Sequence, residues 1–186
     1  MRALLVAALL LAACADESPD VAETPATVAA TRATPVTADG WGPLQIGMTR
    51  AEVVAALGDD ETPDAVGGPD PAACDEFRPS RAPEGLLVMV EDGVLTRVSV
   101  LAGSGLRTDA GFGVGSGASS VKVAYGDAAD VSPHKYLDAP AEYVTVWRAG
   151  DGGPGSRGLR YETDLGGRVA AIRAGGPSIA YVEGCF

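Results

Sequence analysis

Apolar positions along this chain recur with two periods. In Thr49-Arg50-Ala51-Glu52-Val53-Val54-Ala55-Ala56-Leu57-Gly58, Val53, Ala56 and Leu57 stand at i, i+3 and i+4, the stripe of a short amphipathic helix. Thr49 with Glu52 makes a capping box ahead of it, and Gly58 ends it as a C′ glycine. When LQIGMTRAEVVAALGD (44–59) is laid over FGVGSGASSVKVAYGD (112–127), the stretches agree at a constant offset of 68. Gly47 falls on Gly115, Val53 on Val121, Ala56 on Ala124, Leu57 on Tyr125 and Gly58 on Gly126. Each copy reads as a short strand, a helix and a glycine stop, with Ser116 as the candidate N-cap of the second.

Period-two segments follow each helix. LLVMVEDGVLTRVSVL (86–101) reads as a hairpin about Asp92-Gly93, and LRYETDLGGRVAAIRA (159–174) as one with a longer turn at Asp164-Leu165-Gly166-Gly167. EYVTVWRA (142–149) adds a strand before the second hairpin, CDEF (74–77) takes the same place in the first, and IAYVEGCF (179–186) is expected to close the sheet. The expected class is α+β: two tandem helix-plus-antiparallel-hairpin repeats, 40–103 and 104–186, forming one antiparallel sheet surface with the helices on one face.

The N-terminus departs from both periods. Residues 3–13 are all Ala, Val or Leu after Arg2, and Leu11-Ala12-Ala13-Cys14 closes the run. This reads as a secretory signal over 1–13, about half the ~20 residues of a spanning helix. Leu-Ala-Ala-Cys resembles the bacterial lipobox, which makes Cys14 the lipid-attachment site and the membrane the first partner. Ala15 beside it resembles an outer-membrane sorting pattern facing the periplasm; a Gram-positive membrane surface is the other reading. Residues 14–39 continue in Ala, Thr, Pro, Asp and Glu with no periodic apolar face, as a disordered tether with a span of roughly 25 to 30 Å. The globular domain is then 40–186.

Charge and cysteine count narrow the chemistry. The formal net charge is −11, or −12 without Arg2, and no basic stripe exists, which argues against nucleic acid. Asp59, Asp60, Glu61, Asp64, Asp70, Asp75 and Glu76 lack calcium-loop spacing and read as a solvated acidic loop. Of three cysteines, Cys74 and Cys185 remain after Cys14; an oxidising exterior favours their disulfide over a metal pair, because His134 is the single histidine. No metal or cofactor is expected.

Ile46-Gly47-Met48-Thr49-Arg50-Ala51-Glu52-Val53, followed by Ala56-Leu57-Gly58, resembles the repeated Gly-Met-Thr-x-x-x-Val motif of the β-lactamase-inhibitor protein family. It is also similar to the helix of the small lipoprotein of the outer-membrane β-barrel assembly machine. In the second copy Gly-Ser-Gly-Ala-Ser-Ser replaces Gly-Met-Thr-Arg-Ala-Glu. The resemblance implies a tandem architecture and non-catalytic recognition of proteins; it carries no binding site over.

The expected function is therefore a non-catalytic envelope lipoprotein that binds an envelope protein, with Trp41, Tyr143 and His134 as candidate binding residues and Trp147 beside them. The alternatives are an envelope hydrolase using His134, which has Ser132 and Asp138 near it in sequence, or a small-molecule or glycan binder. No Gly-x-Ser-x-Gly elbow, His-Glu-x-x-His motif or P-loop is present. Gly111–Gly117 lacks the lysine that a phosphate loop needs.

Overall fold

In a computed structural model, the residues described are 34–186 except 64 and 66. The signal segment 1–13, Cys14, Asp64 and most of the tether lie outside them. The described chain is mixed α+β and its strand pairing is antiparallel apart from one isolated parallel bridge.

A small three-stranded sheet comes first: β1 (Val36–Thr37), β2 (Gly40–Trp41) and β3 (Leu44–Gln45), paired in that order. Its presence corrects two expectations, that the sheet would be single and that folding would begin at Gly40. Residues 34–39 are folded: Val36 is fully buried and Ala38 nearly so. Val36 N–H donates to the Arg107 carbonyl at 2.8 Å, and Asp109 N–H donates back to Val36 at 3.0 Å, a docking invisible to local composition.

Helix α1 (Arg50–Leu57) starts at the capping box, with Glu52 N–H donating to Thr49 Oγ1 and the Glu52 carboxylate accepting from Thr49 N–H. It stops at Gly58, whose φ of +87° suits glycine. Helix α2 (Ala118–Tyr125) begins on Gly117, with no side-chain cap. Ser116, the expected cap, instead accepts Gly113 N–H into the preceding turn at 3.0 Å. The short strand expected before α2 is absent for the same reason, since residues 111–116 are turn and loop.

The main sheet has the order β4-β5-β6-β10-β9-β8-β7. Its strands are β4 (Cys74–Phe77), β5 (Leu86–Glu91), β6 (Val94–Val100), β7 (Asp130–Pro133), β8 (Glu142–Ala149), β9 (Arg157–Thr163) and β10 (Val169–Gly175). The β5–β6 turn is Asp92-Gly93, with φ of +48° and +77°, the left-handed pair that a two-residue hairpin requires. Strand β7 was not foreseen. Segment 179–186, expected as a closing strand, forms instead a 3₁₀ turn (Pro177–Ala180) and a tail outside the sheet, because strand pairing ends at Gly175 and Pro177 follows it with no N–H to donate.

One set of backbone bonds occurs twice. Gly47 N–H donates to Leu95, Leu95 N–H to Met48 and Arg50 N–H to Gly93; Gly115 N–H donates to Val169, Val169 N–H to Ser116 and Ala118 N–H to Gly167, all at 2.7–2.9 Å. Each pair of strands also skips one residue of the later strand, Thr96 in β6 and Ala170 in β10.

One face of this sheet is apolar. Val88, Val98, Val100, Val144, Leu159 and Ile172 form a single buried cluster with Val53 and Leu57 of α1 and Val121 of α2. Each such side chain contributes about 1.5–3 kcal/mol by leaving water. The polar group that enters this cluster is satisfied: the Tyr161 hydroxyl donates to Thr108 Oγ1 at 3.2 Å and lies 2.8 Å from that of Tyr125. Burial raises the pKa of both phenols.

Candidate functional site

The opposite face of the sheet is charged. In register across the strands stand Glu76, Met89, Arg97 and Gly175; then Ser99, Arg173, Arg160 and Thr145; then Ala171, Glu162, Tyr143 and Ser132. These are the positions out of phase with the apolar ones, as the two-residue period dictates.

Arg97 is the centre of one half. It is 1% exposed and donates from Nη2 to Glu76 Oε1 at 2.7 Å, and from Nη1 to the carbonyls of Ser178 and Tyr181 at 3.0 and 3.2 Å. Burial lowers its pKa and Glu76 opposes that effect. These bonds strap residues 177–181 over the sheet, with Ile179 fully buried beneath. The Cys74–Cys185 disulfide, Cα atoms 5.5 Å apart, ties down the end of the same segment.

His134 is the centre of the other half. Its Nδ1 accepts two backbone N–H groups, from Tyr136 at 3.1 Å and Leu137 at 3.2 Å. The ring proton therefore sits on Nε2, where it faces Glu162 Oε1 at 3.1 Å. The imidazole stacks on Tyr143 with centroids 4.7 Å apart, and the Arg160 guanidinium lies 3.9 Å from the same Tyr143 centroid. Arg173 holds the other Glu162 oxygen at 2.6 Å. Burial pushes the Glu162 carboxyl up, but Arg173 and the His134 hydrogen bond outweigh it and leave its pKa below the ordinary value.

The consequence is a fixed loop. His134 N–H donates to Ala141, Ala141 N–H to Asp138, and the ring clamps the turn between them. That loop holds Tyr136, 59% exposed, and Leu137, 38% exposed, in the open. Lys135 and the Tyr136 hydroxyl both reach Glu183, joining the loop to the strapped C-terminal segment. Tyr181 and Phe186 are exposed on that segment, beside a depression of about 460 Å³ that Lys135 and the disulfide also line.

The three candidates named from sequence are placed inside rather than on this surface. Trp41 is 2% exposed and donates its indole N–H to the Thr34 carbonyl at 3.1 Å; Tyr143 is 2% exposed, and the His134 side chain 5%. Trp147 is half-buried, its ring covering Gly158 and Gly152. The structure brings His134 and Tyr143 together and leaves Trp41 apart, in β2. Neither Ser132 nor Asp138 bonds the His134 ring. Among the described acids of 59–76, Glu61 pairs with Arg78 and Asp75 with Arg50, and Asp60 and Asp70 accept nearby backbone N–H groups. Among the described residues no group of three His, Cys, Asp or Glu side chains is placed to hold a metal ion, and no helix is long and apolar enough to cross a membrane.

Sequence reading missed Tyr136, Leu137, Tyr181 and Phe186 as exposed groups, and Arg97, Arg160, Glu162 and Arg173 as their support. The available signal was a charged residue set among apolar ones out of phase with them: Arg97 in β6, Arg160 and Glu162 in β9 and Arg173 in β10. No protein-family model matches the chain, and neither a curated protein nor a solved structure matches it.

Proposed function

We propose that this chain is a non-catalytic protein-binding lipoprotein of a bacterial cell envelope, anchored through Cys14 and probing its partner with the surface formed by loop 134–141 and the C-terminal segment. The observation that carries this reading is the gathering of exposed apolar side chains. Tyr136, Leu137, Tyr181 and Phe186, four of the eight large hydrophobic residues exposed among those described, lie on these two segments. Rigid aromatic groups on a fixed backbone are what protein hot spots use, since little conformational entropy is lost on contact.

His134 supports the same reading. A general base needs a free lone pair, and both backbone donors already occupy the one on Nδ1 while the Nε2 proton faces Glu162. The imidazole thus acts as a positioning group for the loop. The doubled backbone bonds at 47–50 and 115–118 support the finer architecture, two tandem helix-plus-sheet units meeting at β6 and β10. The lipobox at Leu11–Cys14 supports the envelope address, with the outer membrane facing the periplasm favoured by Ala15.

The test is a crosslinking pull-down from native membranes with the lipidated protein. Wild type recovers a specific envelope protein; Tyr136→Ala with Phe186→Ala loses it; Val123→Ala, on the exposed side of α2, keeps it. Equal recovery by the double variant, or none by wild type, overturns the proposal.

A further inference from the structure

We infer that the occupant of this surface is a cationic, extended protein segment whose apolar side chains seat beside Tyr181 while its Lys or Arg side chains meet carboxylates on the rim; the inference rests on the protein-binding reading above. The surface is divided by one residue. Tyr181 and Glu91 line both the depression of about 460 Å³ beside Phe186 and a second one of about 370 Å³ that reaches Val94, Asp92 and Pro177. The two hollows flank Tyr181, so a segment crossing that ring has an apolar seat on each side.

Charge fixes the sign of the occupant. Glu91, Asp92 and Asp138 stand at this surface, and none of them has a cation within 4 Å among the described residues. Glu91 acts on the Tyr181 phenol, whose pKa it raises by its charge. Of the cations that line the two hollows, Lys135 is already paired with Glu183 at 3.0 Å, and Arg157 donates to the Ser156 carbonyl at 2.8 Å with no carboxylate within 4 Å among the described residues. An acidic segment would therefore meet three unpaired carboxylates and a single unpaired cation, against a background charge of −11. Anionic lipid is disfavoured by the same sign.

Two measurements test this. The first titrates the folded protein with a capped, fluorescent heptapeptide alternating Lys with Leu and Phe, and with its Glu-for-Lys counterpart. The Lys peptide is expected to bind at least about tenfold more tightly, and to weaken several-fold as salt rises and the Debye length falls below ~10 Å. The triple change Glu91→Gln, Asp92→Asn and Asp138→Asn removes the preference without touching the His134 clamp. Equal or stronger binding of the Glu peptide, indifference to the triple change, or binding of anionic phosphatidylglycerol vesicles in its place overturns the inference. The second places the photoreactive p-benzoylphenylalanine at Tyr136 in native membranes. A crosslink to a Lys- or Arg-rich segment supports both proposals. A crosslink to an acidic or uncharged segment overturns the cationic occupant alone, and no protein crosslink overturns the binding reading and this inference with it.

Discussion

The two faces of the seven-stranded sheet are held by different forces. On one, Val53, Leu57 and Val121 of the helices close over Val88, Val98 and Ile172, and the binding energy is non-directional burial. On the other, each contact is directional: Arg97 to Glu76 and two carbonyls, Arg173 to Glu162, His134 to Glu162 and two N–H groups. Burial tolerates small shifts, whereas a hydrogen-bonded clamp holds one geometry. The face that fixes geometry is the one that carries the exposed aromatic loop and tail, and this is why polar side chains occupy positions that apolar ones could fill.

The largest break in that contrast is Arg97→Ala. It leaves the Glu76 carboxylate and the Ser178 and Tyr181 carbonyls without their donor, and breaking one side of a buried ion pair costs about 3–5 kcal/mol. Urea unfolding reads the loss as a lowered midpoint. Adding Glu76→Gln to Arg97→Met returns part of it, because the uncompensated charge is gone. A loss below about 1 kcal/mol would mean that the strap over the sheet is held by Ile179 and the disulfide without Arg97.

Acid separates the faces next. Because the folded pKa of Glu162 is depressed, its contribution is complete above the unfolded carboxyl value near 4.3 and is lost as pH falls through the lower folded value. Glu162→Gln should cost about 1–3 kcal/mol at neutral pH, a gap that narrows below ~pH 4. Denaturation of both proteins across that range measures it. A gap unchanged by acid would assign the cost to packing rather than to charge.

What was legible in the sequence was what is local. The capping box at Thr49, the Asp92-Gly93 turn, the strands at 74–77, 86–100 and 142–149, and the cysteine pair all stand where reading placed them. Each is set by neighbours within a few residues, or by simple arithmetic of thiols. The misses are long-range. Val36 docks on residues 107–109, His134 acts through Glu162, and the segment that follows β10 is strapped across the sheet by Arg97, some eighty residues earlier. Trp41, Tyr143 and His134 were singled out by type, but the type of an aromatic side chain does not reveal which side of a layer it faces. The exposed aromatics that replace them sit in segments without period, where pattern carries no signal.

Smaller effects belong to the apolar face, and here the two helices provide their own control. Thr49→Ala removes the hydroxyl that accepts Glu52 N–H and should cost about 1 kcal/mol, read as a lower urea midpoint with unchanged slope. The loss should be indifferent to acid above ~pH 5, in contrast to that of Glu162→Gln.

Gly117→Ser is the converse change and the smallest. Gly117 has the extended backbone of an ordinary N-cap, φ −71° and ψ 133°, and a Cβ there would meet nothing closer than Ser120 Oγ at 3.7 Å. The position thus accepts a side chain without strain, and the new hydroxyl faces the N–H groups of the first turn of α2. Serine exceeds glycine as a cap by only a few tenths of a kcal/mol, so the expected gain in stability is of that order. A loss instead would show that the approach of Gly117 to Arg168, where the backbone bridges to the residue before β10, leaves no room for the hydroxyl to turn inward, and that α2 is positioned by the sheet rather than by its own cap.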